Sequence, residues 1–171
     1  MKQYSKVIDG KTVVEYGVNI GIPINGITMY GLPESVLITN GWKLYEEDLN
    51  ELKSELIKSV KLYDESDDVN VFYLNNNPMW LDKVTRIGLY LRFESEVKNG
   101  LTETTLWHND TSYDLTIDTA FQMLHALELY ASKCYDNTCR HLKMISELQT
   151  VEEVKNYNIK HGYPDKLYFK A

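Results

Sequence analysis

Apolar positions along the chain change spacing repeatedly, and each change marks a new kind of element. Residues 4–16, YSKVIDGKTVVEY, form two β-rich runs around Asp9-Gly10, the signature of a tight hairpin. Through GVNIGIPINGITMYGLP, glycine and proline recur every few residues among β-branched side chains, which predicts a turn-rich β module. One helical turn is predicted over Pro33–Thr39, stopped at Asn40-Gly41, with Trp42 directly after.

From Glu46 the spacing becomes helical. Leu49, Leu52, Leu56, Val60 and Tyr63 recur at three and four residues, predicting an amphipathic helix over 46–63. Acids precede bases along it, in the order that suits a helix dipole. The acidic stretch Asp64–Asp68 follows, then a strand over Val69–Leu74. In NNNPMWLDK, Asn77 reads as an N-cap and Pro78 as the first helical residue, with Trp80, Val84, Ile87 and Leu91 as the buried stripe. Gly100 ends that helix, and residues 102–116 predict a hairpin turning at Asn109-Asp110. Thr116 caps a long helix to about Leu148, roughly 45 Å if unbroken, with a kink expected near Asp136-Asn137-Thr138. Its stripe is Ala120, Leu124, Leu127, Ala131, Cys134, Thr138, Leu142 and Ile145. Thr150-Val-Glu-Glu153 is a capping box for a last short helix, and HGYPDKLYF predicts a turn and a final strand.

The fold class is therefore α+β. Three segments are expected: a β-rich module over 1–45, a connecting helix and acidic loop over 46–68, and a mainly helical domain with a short hairpin over 69–171. A hydrophobic content of 43% over 171 residues suffices for a real core. The net charge of −7 opposes both nonspecific nucleic-acid binding and docking on anionic lipid. No apolar run approaches the length of a membrane span, and MKQYSKVIDG has no signal-peptide core, so action in the cytosol or within an exported assembly is expected. Thirteen tyrosines stand out, since tyrosine is enriched at protein interfaces.

Candidate chemistry centres on KCYDNTCRH, residues 133–141, which holds both cysteines. At about 100° per residue, Cys134 and Cys139 diverge by roughly 140° on a helix, which rules out a shared metal. Cys134 reads as a small buried hydrophobe. Cys139, His125 and His141 read as exposed or rim residues. The acidic run Asp64–Asp68 lacks the phasing of a calcium loop. No phosphate-binding, dinucleotide, zinc-protease or nucleophile-elbow motif occurs, so no metal, cofactor or catalytic residue is assigned. Trp42 and Trp80 stand at element boundaries, where tryptophan commonly anchors a core. With Tyr163 they are also the candidate partner contacts.

Several phrases resemble a group of phage proteins: VFYLNNNPMWLDKVTRIGLYLRFESEVKNG, TTLWHND, LHALELYASKCYDNTCRHLKMISELQTVEEVKNY and GYPDKLYF, together most of Val69–Phe169. The group carries a C-terminal domain of unknown function. It occurs in tail-fibre and tail-associated proteins of tailed phages and prophages of gut bacteria, crAss-like phages included. The N-terminal segment resembles, in layout, tail-fibre assembly proteins. The resemblance implies a non-enzymatic virion protein of the tail or of the fibre or ring attachment region. Such a protein is made in the host cytoplasm, is present in many symmetry-related copies and has other phage structural proteins as partners. Two other roles fit the residues: an assembly chaperone absent from the mature particle, and a small hydrolase built on His108 with Asp110 and Asp114.

Overall fold

The computed structural model describes all residues from Met1 to Ala171, and the chain is α+β. It divides into two compact units, Met1–Asp48 and Leu49–Ala171.

In the first unit, β1 (Gln3–Ile8) and β2 (Lys11–Tyr16) form the hairpin expected at Asp9-Gly10, both of which take positive φ. A second hairpin pairs β3 (Ile22–Ile24) with β4 (Ile27–Met29) across Asn25-Gly26. The short helix α1 (Glu34–Thr39) ends at Asn40 and Gly41, whose φ of 83° suits glycine. The chain then returns as β5 (Lys43–Leu44) beside β1, giving the strand order β2-β1-β5. Tyr4, Ile20, Ile22, Leu37 and Trp42 make the core of this unit.

The second unit begins with α2 (Leu49–Asp64). Glu46, Glu47 and Asp48 precede this helix, and it belongs to the second unit, where it packs on the long helix. A one-turn helix, α3 (Asp67–Asn70), leads into β6 (Phe72–Leu74) and β7 (Asn77–Met79). Here the expected helix start at Asn77-Pro78 gives way to a hairpin. Asn75 and Asn76 both take positive φ, at 50° and 64°, the conformation that a two-residue turn of a tight hairpin demands and that asparagine tolerates. Pro78 is accommodated because β7 is an edge strand in the order β10-β6-β7. Helix α4 (Lys83–Lys98) starts later, capped by Asp82, whose Oδ1 accepts from the Thr85 N–H at 2.7 Å. That hydrogen bond holds the Asp82 carboxyl below its ordinary range.

The later start accompanies a reversal of the burial expected for α4. Trp80, Val84, Ile87 and Leu91, the anticipated core stripe, are 56%, 80%, 52% and 58% exposed. The inward side is carried by Leu89 and Phe93, with Phe93 at 0% exposure. The helix is apolar on two opposite sides. The side with Phe93 is the one that meets an aromatic partner, the Phe121 ring, at 5.8 Å and a near-perpendicular 83°.

Strands β8 (Glu103–His108) and β9 (Thr111–Thr116) form the expected hairpin, and Thr116 caps α5 (Ile117–Glu147) by accepting from the Thr119 N–H. Helix α5 continues through Asp136-Asn137-Thr138 as a single element of 31 residues. Its buried residues include Ala120, Leu124, Leu127, Cys134, Thr138 and Ile145, the spacing the sequence predicts. Helix α6 (Val151–Lys155) opens with the Thr150–Glu153 capping box. Finally β10 (Tyr168–Phe169) adds in parallel to β6, with the Tyr168 and Tyr73 rings stacked at 4.9 Å. No helix is long and apolar enough to cross a membrane.

The two sides of α4 differ in what a truncation should cost. Phe93→Ala should destabilise by about 3–5 kcal/mol, the usual cost of emptying a large core position. Val84→Ala should stay within about 0.5 kcal/mol, as exposed substitutions do. Urea unfolding followed by far-ultraviolet circular dichroism measures both. Equal losses would mean that the inward side is misassigned.

Candidate functional site

The densest polar cluster lies where residues 157–163 cover the C-terminal half of α5. Asn137, Thr138 and His141 continue the three- and four-residue spacing of the α5 stripe between Cys134 and Ile145, and all three are buried. His141 is thus an interior residue, which corrects its expected place at the rim. Its Nε2 lies 2.9 Å from the His161 carbonyl oxygen, an acceptor only, so Nε2 carries the proton and donates. Nδ1 then accepts from the Tyr157 hydroxyl at 2.7 Å. The Asn137 side-chain amide donates to the same His161 carbonyl at 2.9 Å.

A second branch runs from α2. Thr138 Oγ1 donates to Asp64 Oδ1 at 2.7 Å. Its single proton being used there, it accepts from the Tyr163 hydroxyl, also at 2.7 Å. Burial pushes the phenols of Tyr157 and Tyr163 up, which keeps both as O–H donors. The Tyr163 ring stacks on His141 at 5.8 Å and meets Tyr63 edge-on at 5.2 Å. Gly162 makes the close turn possible: its φ is 83°, and a Cβ there would stand 2.6 Å from Asn137 Oδ1.

A cleft of about 580 Å³ opens beside this network, lined by Arg140, His141, Met144, Tyr157, Asn158 and His161. Both His141 ring nitrogens are committed to partners within the chain. The arrangement works as a clamp that fastens the C-terminal segment to α5. The sequence held a signal for it: polar residues 137, 138 and 141 sit in phase with the apolar stripe, where a solvated face would have fallen out of phase.

The remaining chemistry-bearing residues are dispersed. Cys134 is buried among Tyr130 and its neighbours on α5, and burial pushes its thiol up, while Cys139 is exposed. His125 is exposed, lying beside the Tyr90 and Phe121 rings at 6.0 and 6.2 Å. No three His, Cys, Asp or Glu side chains gather at metal-binding spacing. His108 shares the β8 face of buried Leu106 and Thr104, while Asp114 accepts from Thr105 on the opposite face at 2.7 Å. Those two residues point to different sides of the hairpin.

The three candidate contact residues occupy three different environments. Trp42 is buried in the core of the first unit. Tyr163 is half-buried in the clamp. Trp80 is exposed just ahead of α4, at the edge of a cleft it shares with Leu81, Arg86 and Tyr130. Val84, Ile87 and Leu91, on α4 itself, form an outward run of apolar side chains at three- and four-residue spacing. Apolar side chains grouped on one outward helix face make this the candidate contact surface. Comparison of the chain with protein families, with curated proteins and with solved structures finds no match.

The clamp predicts two graded losses. Tyr157→Phe removes the donor to His141 Nδ1 and should cost about 1–3 kcal/mol, because a buried acceptor is left unpaired. Gly162→Ala should cost at least about 1 kcal/mol, from the strained φ and the contact with Asn137. Thermal unfolding of the two variants measures both, and a Gly162→Ala protein as stable as wild type would contradict the clamp geometry.

Proposed function

We propose that this protein acts by contact, as a small multi-copy structural component of a phage tail or of the region where fibres or ring proteins attach. The observation that carries the contact reading is the outward stripe of α4, with Val84, Ile87 and Leu91 each more than half exposed, and Trp80 exposed just ahead of the helix. A folded chain gains nothing by presenting Val, Ile and Leu in register to water. A partner covering them removes that apolar surface from solvent, at roughly 25 cal/mol for each Å² buried. The exposed Trp80 just ahead of α4 suits the role, since tryptophan is over-represented among the side chains that dominate interface energetics.

The phage assignment rests on the resemblance of the Val69–Phe169 phrases to tail-associated proteins. On this reading the partners are other phage structural proteins and the place of action is the virion, after synthesis in the host bacterial cytoplasm.

Mass spectrometry of gradient-purified particles, quantified against the major capsid protein, tests the assignment. A fixed copy number that matches a symmetric ring or fibre set is the expected result. Abundance in the infected lysate with absence from particles would overturn it in favour of an assembly chaperone.

A further inference from the structure

The outward side of α4 has a pattern that selects its own occupant. At about 100° per residue, Val84, Ile87, Leu91, Glu94 and Lys98 fall within roughly 80° of the helix circumference. This arc lies opposite the inward Leu89 and Phe93. The spacing alternates three and four residues, the seam of a two-helix coiled coil. Gly88 lies about 40° outside this arc, on the Val84 side. A Cβ built there meets nothing within 4 Å, so no contact inside the chain requires glycine. Glycine in a helix interior costs about 1 kcal/mol relative to alanine. A second helix approaching closely at this point gives that residue a reason.

We infer that α4 pairs antiparallel with α4 of a second copy of this chain, across a two-fold axis near residue 89. This inference rests on the contact reading of the α4 stripe and names its partner. In that register the seam is self-complementary from end to end. Ile87 meets Leu91 of the second copy and Leu91 meets its Ile87, which forms the apolar centre. Val84 lies against the aliphatic stem of Glu94 of the second copy, and the Glu94 carboxylate faces Lys83, which sits on the same flank. Every contact occurs twice, as a two-fold interface requires. Lys83 and Glu94 lie on one flank of the seam, and an antiparallel pairing brings like flanks together whereas a parallel one sets them on opposite edges, so these opposite charges select the antiparallel arrangement. Within one chain Glu94 makes only a long contact with Lys98, at 4.0 Å, and both groups are placed to engage the second copy.

Sedimentation equilibrium of the full chain across the micromolar range tests the pairing. Wild type should fit a monomer–dimer equilibrium. The double substitution Ile87→Glu with Leu91→Glu lies on the exposed side and should leave the circular dichroism unchanged while abolishing the dimer. Lys83→Glu alone and Glu94→Lys alone should each weaken the dimer about tenfold, since each sets like charges face to face twice. An equimolar mixture of those two single variants restores both opposite-charge pairs in a heterodimer, and should recover wild-type affinity. A monomeric wild type, a dimer indifferent to the Ile87 and Leu91 substitutions, or a mixture that stays as weak as its components would each overturn the pairing. The outcomes separate this inference from the virion assignment. A monomeric protein found at fixed copy number in particles sinks the self-pairing alone. A charge-dependent dimer absent from particles sinks the virion assignment alone.

Discussion

Helix α5 carries one continuous buried stripe, and the second unit is assembled on it. Its N-terminal half, through Ala120, Met123, Leu124 and Leu127, shares a core with Phe93 of α4, with Leu106, Tyr113 and Leu115 of the β8–β9 hairpin and with Phe72, Leu74 and Met79 of the small sheet. Its C-terminal half continues the stripe in polar form. There Asn137, Thr138 and His141 hold α2 and the segment 157–163 by hydrogen bonds in place of apolar contact. A single helix face thus changes from hydrophobic to hydrogen-bonded packing without leaving its register. The polar half is the more specific of the two. An unpaired buried donor or acceptor is costly, so only one seating of the C-terminal segment satisfies every group.

This division explains which parts of the fold were legible in the sequence. Elements set by local rules appear where the residues place them: the Asp9-Gly10 turn, the Thr116 cap, the Thr150–Glu153 capping box and the α5 stripe. Two readings failed where two local rules competed. Asn75-Asn76-Asn77-Pro78 satisfies both a helix start and a two-residue hairpin turn. The turn prevails because β6 has partners on both sides, β7 and the chain terminus at β10, and both pairings are long-range information that the tetrapeptide does not contain. Helix α4 likewise has two apolar sides, so periodicity alone cannot say which one faces in. The larger payload, Phe93 against Phe121, decides it. His141 was misplaced for a related reason. A histidine beside Arg140 reads as surface until Tyr157 and the His161 carbonyl, from a segment 16 to 20 residues away, are seen to satisfy it.

The misread stripe is also the most informative feature for function. Trp80, Val84, Ile87 and Leu91 look like core in sequence because they have the composition and spacing of core, and the fold leaves them outside. The outward apolar run of α4 is the feature on which the proposed contact role rests. The acidic surface and the tyrosine-rich composition are compatible with the same role. Trp42 in the core of the first unit and Tyr163 in the clamp have their contacts inside the chain, and of the three candidate contact residues only Trp80 faces outward.

Hydroxyl-radical footprinting of the three tryptophans gives the most direct test of that central claim. In dilute free protein Trp80 should be oxidised readily and Trp42 should resist. As concentration rises, or in assembled particles, Trp80 should become protected while the labelling of exposed Trp107 in the β8–β9 hairpin stays unchanged. If Trp80 is as inert as Trp42 in the dilute chain, or labels equally in every state, the outward stripe of α4 is not a contact surface.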